Sequence, residues 1–121
     1  MQFGENAKWV VAEIRPVSGQ TALFLAPKTL ELPWGFAGEI IWHVYTPDWD
    51  LVSIVFPPGS TFSGNPQPDP NRPGCWSTVA TNNTVAGSTS SFSYTISVRN
   101  RTTGETASWD PAVQNEAPPT A

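Results

Sequence analysis

Apolar and polar residues alternate along this chain in short runs, and clusters of Pro, Gly, Asn and Asp separate the runs. A period of two puts successive side chains on opposite faces of a strand, so the pattern predicts an all-β fold. Residues 91–98 are the cleanest case. Phe92, Tyr94, Ile96 and Val98 alternate there with Ser91, Ser93, Thr95 and Ser97, one face buried and one wet. In residues 8–15 Val10, Ala12 and Ile14 share a face, yet Trp9 and Val11 make the other face apolar too. Residues 39–45 repeat this, with Ile40, Trp42 and Val44 against Ile41, His43 and Tyr45. Two apolar faces predict burial on both sides, or a second face that meets a partner. Residues 21–25, 29–32, 51–56, 75–80 and 106–113 supply the remaining strands. The last is interrupted by Asp110-Pro111, where a proline needs an edge or a bulge.

Pro16-Val17-Ser18-Gly19 and Thr46-Pro47-Asp48-Trp49-Asp50 read as turns, and Pro33-Trp34-Gly35 as a bend. Residues 57–74 carry six Pro and three Gly, with Phe62 as their one large apolar side chain. They form a predicted loop longer than most connections in compact domains. Residues 81–90 read as a polar, hairpin-like connection, and residues 114–121 as a polar tail that frays. The 13 prolines exclude long helices, and 121 residues favour a single domain. The expectation is one antiparallel or mixed β-sandwich over residues 1–113, with seven or eight strands.

Four segments carry a resemblance: Gly38-Glu39-Ile40-Ile41-Trp42, Ile54-Val55-Phe56, Phe92-Ser93-Tyr94-Thr95-Ile96-Ser97-Val98 and Asp110-Pro111-Ala112-Val113-Gln114-Asn115. In that order they resemble a group of small uncharacterised bacterial proteins with a cupredoxin-like, immunoglobulin-like Greek-key sandwich. The resemblance covers roughly residues 36–116 and rests on strand spacing and on the Tyr-Thr-Ile and Asp-Pro-x-Val-x-Asn signatures. It implies the sandwich and carries no established activity. Cupredoxins proper hold copper with two His, a Cys and usually a weak axial Met. Here there is one His (His43, on a strand), one Cys (Cys75, followed by Trp76) and one Met (Met1). What the resemblance implies is therefore the fold without a metal, and no cofactor is expected.

Charge narrows the partners. Six Lys and Arg against ten Asp and Glu give a formal net charge of −4, and the basic residues (Lys8, Arg15, Lys28, Arg72, Arg99, Arg101) are scattered. A chain that tracks phosphates needs a basic stripe, so nucleic acid is not the expected partner. The longest apolar stretches are too short to span a bilayer. The start, Met-Gln-Phe-Gly-Glu, has neither the basic nor the apolar region of a signal peptide, so a cytoplasmic location is the default expectation. The sequons at Asn82 and Asn100 then read as chance.

Catalytic residues are sparse. His43 could serve as a general base, since imidazole titrates near neutral pH, but between Trp42 and Val44 it reads first as a structural histidine. Cys75 reads as a small buried hydrophobe, with no spacing that brings it to His43. Asp48 and Asp50 flank Trp49 and would lie roughly 6–7 Å apart on one side of an extended segment, as a retaining glycosidase requires. Local turn chemistry explains them more simply. A calcium site from Asp48, Asp50 and Asp69 lacks the spacing of an EF-hand loop. Tryptophan is the surplus: six in all, with Trp42 and Trp109 expected in the core. Trp34, Trp49 and Trp76, together with Phe62 in the long loop, are the candidate binding surface. The function expected is a non-enzymatic protein-interaction or self-assembly module. Its alternatives are a carbohydrate-binding module stacking sugars on exposed Trp and, lower, a small acid-dependent hydrolase.

Overall fold

The computed structural model describes residues 7–57, 64–82 and 90–116, and over these the alternating runs form strands throughout, with no helix. In chain order they are β1 (Ala7–Val17), β2 (Gln20–Ala26), β3 (Thr29–Leu32), β4 (Ala37–Val44), β5 (Trp49–Val55) and β6 (Gln67–Pro68). There follow β7 (Cys75–Thr81), β8 (Ser90–Ser93), β9 (Thr95–Asn100), β10 (Thr106–Trp109) and β11 (Ala112–Asn115). One layer is a five-stranded sheet in the order β2-β1-β4-β7-β6, in which β1 and β4 run parallel. The other layer holds two three-stranded sheets, β10-β9-β5 and β3-β11-β8, with β3 and β11 parallel. The fold is an all-β sandwich.

The eleven strands exceed the seven or eight expected, for identifiable reasons. The run 91–98 is divided at Tyr94, and the run 106–113 at Asp110-Pro111. Both halves nevertheless keep one antiparallel register: Ala107 faces Val98 in one, and Val113 faces Phe92 in the other. At the break Pro111 has no N–H to give, but its carbonyl accepts the Tyr94 N–H at 3.0 Å, and the Thr95 hydroxyl donates to Asp110 Oδ1 at 2.8 Å. The third extra strand is β6, inside the Pro-rich segment, where Gln67 pairs with Ser77 and Pro68 with Trp76. The last strand also runs on to Asn115, which is fully buried, so residues 114 and 115 belong to the sheet and not to a tail.

Local chemistry explains the turns. Ser18 and Gly19 both have positive φ (52° and 78°), the two-residue hairpin that matches the twist of the flanking strands. The bulge between Leu51 and Ser53 resets the alternation of β5, which lets Leu51, Ile54 and Phe56 all face inward. Between the layers lie Val10, Ile40, Ile54, Ile96, Val98 and Val113, each at most 2% exposed. Trp42 of β4 closes onto Tyr94 of the opposite layer, ring centroids 5.9 Å apart, and its indole N–H donates to the Tyr94 hydroxyl at 3.1 Å. Phe56 joins this cluster, 5.2 Å from the Tyr94 ring. At the other end Asn82 ties the layers: its amide donates to the carbonyls of Leu32 (2.8 Å) and Glu116 (2.9 Å). That side chain is 1% exposed, so a glycan at its sequon is incompatible with this fold.

Candidate binding site

The outer face of the five-stranded sheet holds the second apolar side of β1 and β4, and it is divided in two. On the β4–β7 side the chain covers part of itself, at Ile41 and Cys75, while Val79 of β7 is 49% exposed. Ile41, opposite Trp9 on β1 and Ser77 on β7, is fully buried yet stands apart from the inter-layer core. The turn between β6 and β7 reaches over it. Arg72 pairs there with Asp69 at 2.6 Å and with Glu39 at 3.2 Å, and its guanidinium lies 6.0 Å from the centre of the Trp9 ring. Asp69 also accepts the Asn71 N–H at 2.8 Å, and that bond, with the Arg72 pairing next in weight, holds its carboxyl below its ordinary range.

Under this strap the register of β4 and β7 sets His43 directly opposite Cys75, with Sγ 3.7 Å from Nδ1. Sequence spacing gives no sign of this meeting, because the register of a pair across a long connection is fixed by tertiary packing. Burial, with Asp69 adding to it, pushes the Cys75 thiol up, away from the thiolate that a nucleophile needs.

On the β1–β2 side the apolar face is open. Trp9 (48% exposed) and Tyr45 (72% exposed) flank the half-buried Val11 and Phe24 across β1, β2 and the residue after β4, with the exposed Glu13 of β1 opposite Phe24. Val11, Phe24 and Tyr45 line a cavity of about 310 Å³ together with the charged Glu13, Arg15 and Lys28, and the Arg15 guanidinium stacks 4.1 Å from the Phe24 ring centre. A second cavity, of about 450 Å³, lies between the start of β1 and β3, with Trp9 on one wall and Glu31 on the other.

The expected binding residues are dispersed. Trp34 is 51% exposed on a bend fixed at both ends, Phe36 N–H donating to Pro33 O and Gly35 N–H to Asn82 O, each at 3.0 Å. Trp49 opens β5 and Trp76 lies in β7, and both are half-buried against the core, as Trp109 is. Phe62 lies outside the described residues. The open stripe instead uses Trp9 and Tyr45. Their one sequence signal is the second apolar face of their strands.

The carboxylates do not converge. Asp48 and Asp50 share Arg101, whose guanidinium grips Asp50 through bonds of 2.9 and 3.2 Å and lies 3.5 Å from Asp48. The hydrogen bond from Arg101 draws the Asp50 carboxyl below its ordinary range. Asp69 is committed to Arg72, and among the described residues no three His, Cys, Asp or Glu side chains form a metal-binding group. Among the same residues no helix is long and apolar enough to cross a membrane. No protein-family model matches the chain, and no curated protein matches it.

Proposed function

We propose that this protein is a non-enzymatic interaction module that associates with other polypeptides, including copies of itself, through the outer face of its five-stranded sheet. The observation that carries this is the open stripe of Trp9, Val11, Phe24 and Tyr45, beside a strap that covers part of the other half of the same face. Exposed aromatic side chains on a rigid sheet, rimmed by charged residues such as Glu13, Arg15 and Lys28, suit a contact surface, and Trp and Tyr give large contact area at low entropy cost. The resemblance to small sandwich proteins without assigned activity accords with the same reading.

Light scattering across a micromolar to millimolar concentration series tests it. The mass is expected to rise with concentration, and Trp9→Ser and Tyr45→Ser are expected to lower that rise. A strict monomer at millimolar concentration would contradict self-association.

A carbohydrate-binding reading draws on one specific observation, the exposed Trp34 held on its fixed bend. It predicts a shift of tryptophan emission on adding glycan, and a blank glycan array would end it. The hydrolase reading has less support. A glycosidase acid needs a raised pKa, whereas Arg101 lowers that of Asp50.

A further inference from the structure

The switch of one chain segment between the layers leaves, in each sheet, a strand position that none of the described residues fills. β2 pairs with β1 from Val17 to Val11 and leaves the sheet after Ala26, crossing as β3 to the opposite layer. Ala7 to Val10 of β1 therefore have β4 on one side and, among the described residues, no strand on the other. β3 is in the same position: β11 lies on one side and, among the described residues, no strand lies on the other.

The direction of the main-chain groups follows from hydrogen bonds already fixed. Tyr45 N–H donates to Ala12 O at 2.7 Å, so Ala12, Val10 and Lys8 turn their groups to β4. Alternation then turns the N–H and C=O of Ala7 and Trp9 the opposite way. Likewise Glu116 N–H donates to Leu32 O at 3.0 Å, so Leu30 and Leu32 face β11 while Thr29 and Glu31 face outward. Both outward sets border the same cavity of about 450 Å³, walled by Ala7, Lys8 and Trp9 on one side and Thr29, Leu30 and Glu31 on the other.

Building on the interaction-module reading, we propose that this cleft takes a single extended peptide segment of a partner protein, which occupies the place β2 vacates and pairs with these main-chain groups. A strand edge supplies affinity through its backbone and specificity through the flanking side chains. A single strand fits the cleft better than the edge of another sheet, because two strand edges already flank it. The walls also carry opposite charges, Lys8 on β1 and Glu31 on β3. The matching segment has an acidic residue toward Lys8, a basic residue toward Glu31 and an apolar residue against Trp9.

Selection of a displayed random hexapeptide library against the full chain supplies the probe, and amide exchange followed by NMR locates it. The expected binders protect the amide of Trp9, of Glu31, or of both. They lose binding when alternate peptide nitrogens are methylated. Glu31→Pro removes one outward N–H while leaving the β3–β11 pairing, since an edge strand tolerates proline there, and should weaken binding about tenfold. Glu31→Lys should turn the selected basic residue into an acidic one. Binders that protect neither amide overturn the cleft but leave the open stripe as an interaction surface. A library that yields no binder also overturns the cleft, and self-association then stands or falls on light scattering alone.

Discussion

Tyr94 shows how much one side chain settles in this molecule. Its ring closes the aromatic cluster across the layers, its hydroxyl takes the Trp42 indole N–H, and its N–H bonds to Pro111 O. Burial pushes its hydroxyl up to about 12 from an ordinary value of 10.0. The raised value means that the fold favours the neutral phenol. This stabilisation is complete below the unfolded value and is lost as pH rises through the folded one. It amounts to about 3 kcal/mol at two units of separation. The urea midpoint should therefore fall between pH 10 and 12, and in Tyr94→Phe it should fall less over that window while starting lower for want of the hydrogen bond. Parallel curves for the two proteins would show that Tyr94 does not drive the alkaline loss. At the same scale, Arg101 joins Asp48 and Asp50 into an ion-paired corner, so paired carboxylates in a sequence are weak evidence of acid catalysis until their cation is known.

At the scale of elements, the strap between β6 and β7 turns a stretch of the Pro-rich segment into cover for Ile41 and Cys75. Its ion pairs make a separate prediction. Arg72→Gln should speed the reaction of Cys75 with 4,4′-dithiodipyridine several-fold, with little change in circular dichroism; an unchanged rate would show that the strap does not guard the thiol. Asp69 has a lowered pKa, so its contribution holds at every pH above the ordinary carboxylate range and is lost in acid as pH falls through the depressed value. The difference in thiol reactivity between wild type and Arg72→Gln, measured at matched pH, should therefore shrink in that acid window.

Elements are also where the sequence was readable and where it stopped. The strands of the sandwich follow from alternation, as at Phe92, Tyr94, Ile96 and Val98. The turn at Ser18-Gly19 follows from its residue types. The meeting of His43 with Cys75 and the burial of Ile41 did not follow, because both depend on register and on a loop that returns from far along the chain. Which tryptophans are exposed was legible only in part for the same reason: Trp34 on its bend is exposed, as its turn residues suggest. Trp49 and Trp76 look available in the sequence yet pack against the core, while Trp9 looks like a strand residue yet is half exposed beside the strap.

At the scale of the whole molecule, the exchange of one segment between layers is the feature from which the functional reading follows. It closes the sandwich at β3 and opens β1 below Val11, so that a stripe of aromatic side chains and a strand position that no described residue fills lie side by side around Trp9. Amide hydrogen exchange on the free protein tests this most directly, with no ligand required. Fast exchange is expected at Trp9, Thr29 and Glu31 and strong protection at their neighbours Val10, Leu30 and Leu32, whose N–H groups face β4 and β11. Equal protection of Trp9 and Glu31 with those neighbours would mean that the cleft is already filled and that no strand position there is open to a partner.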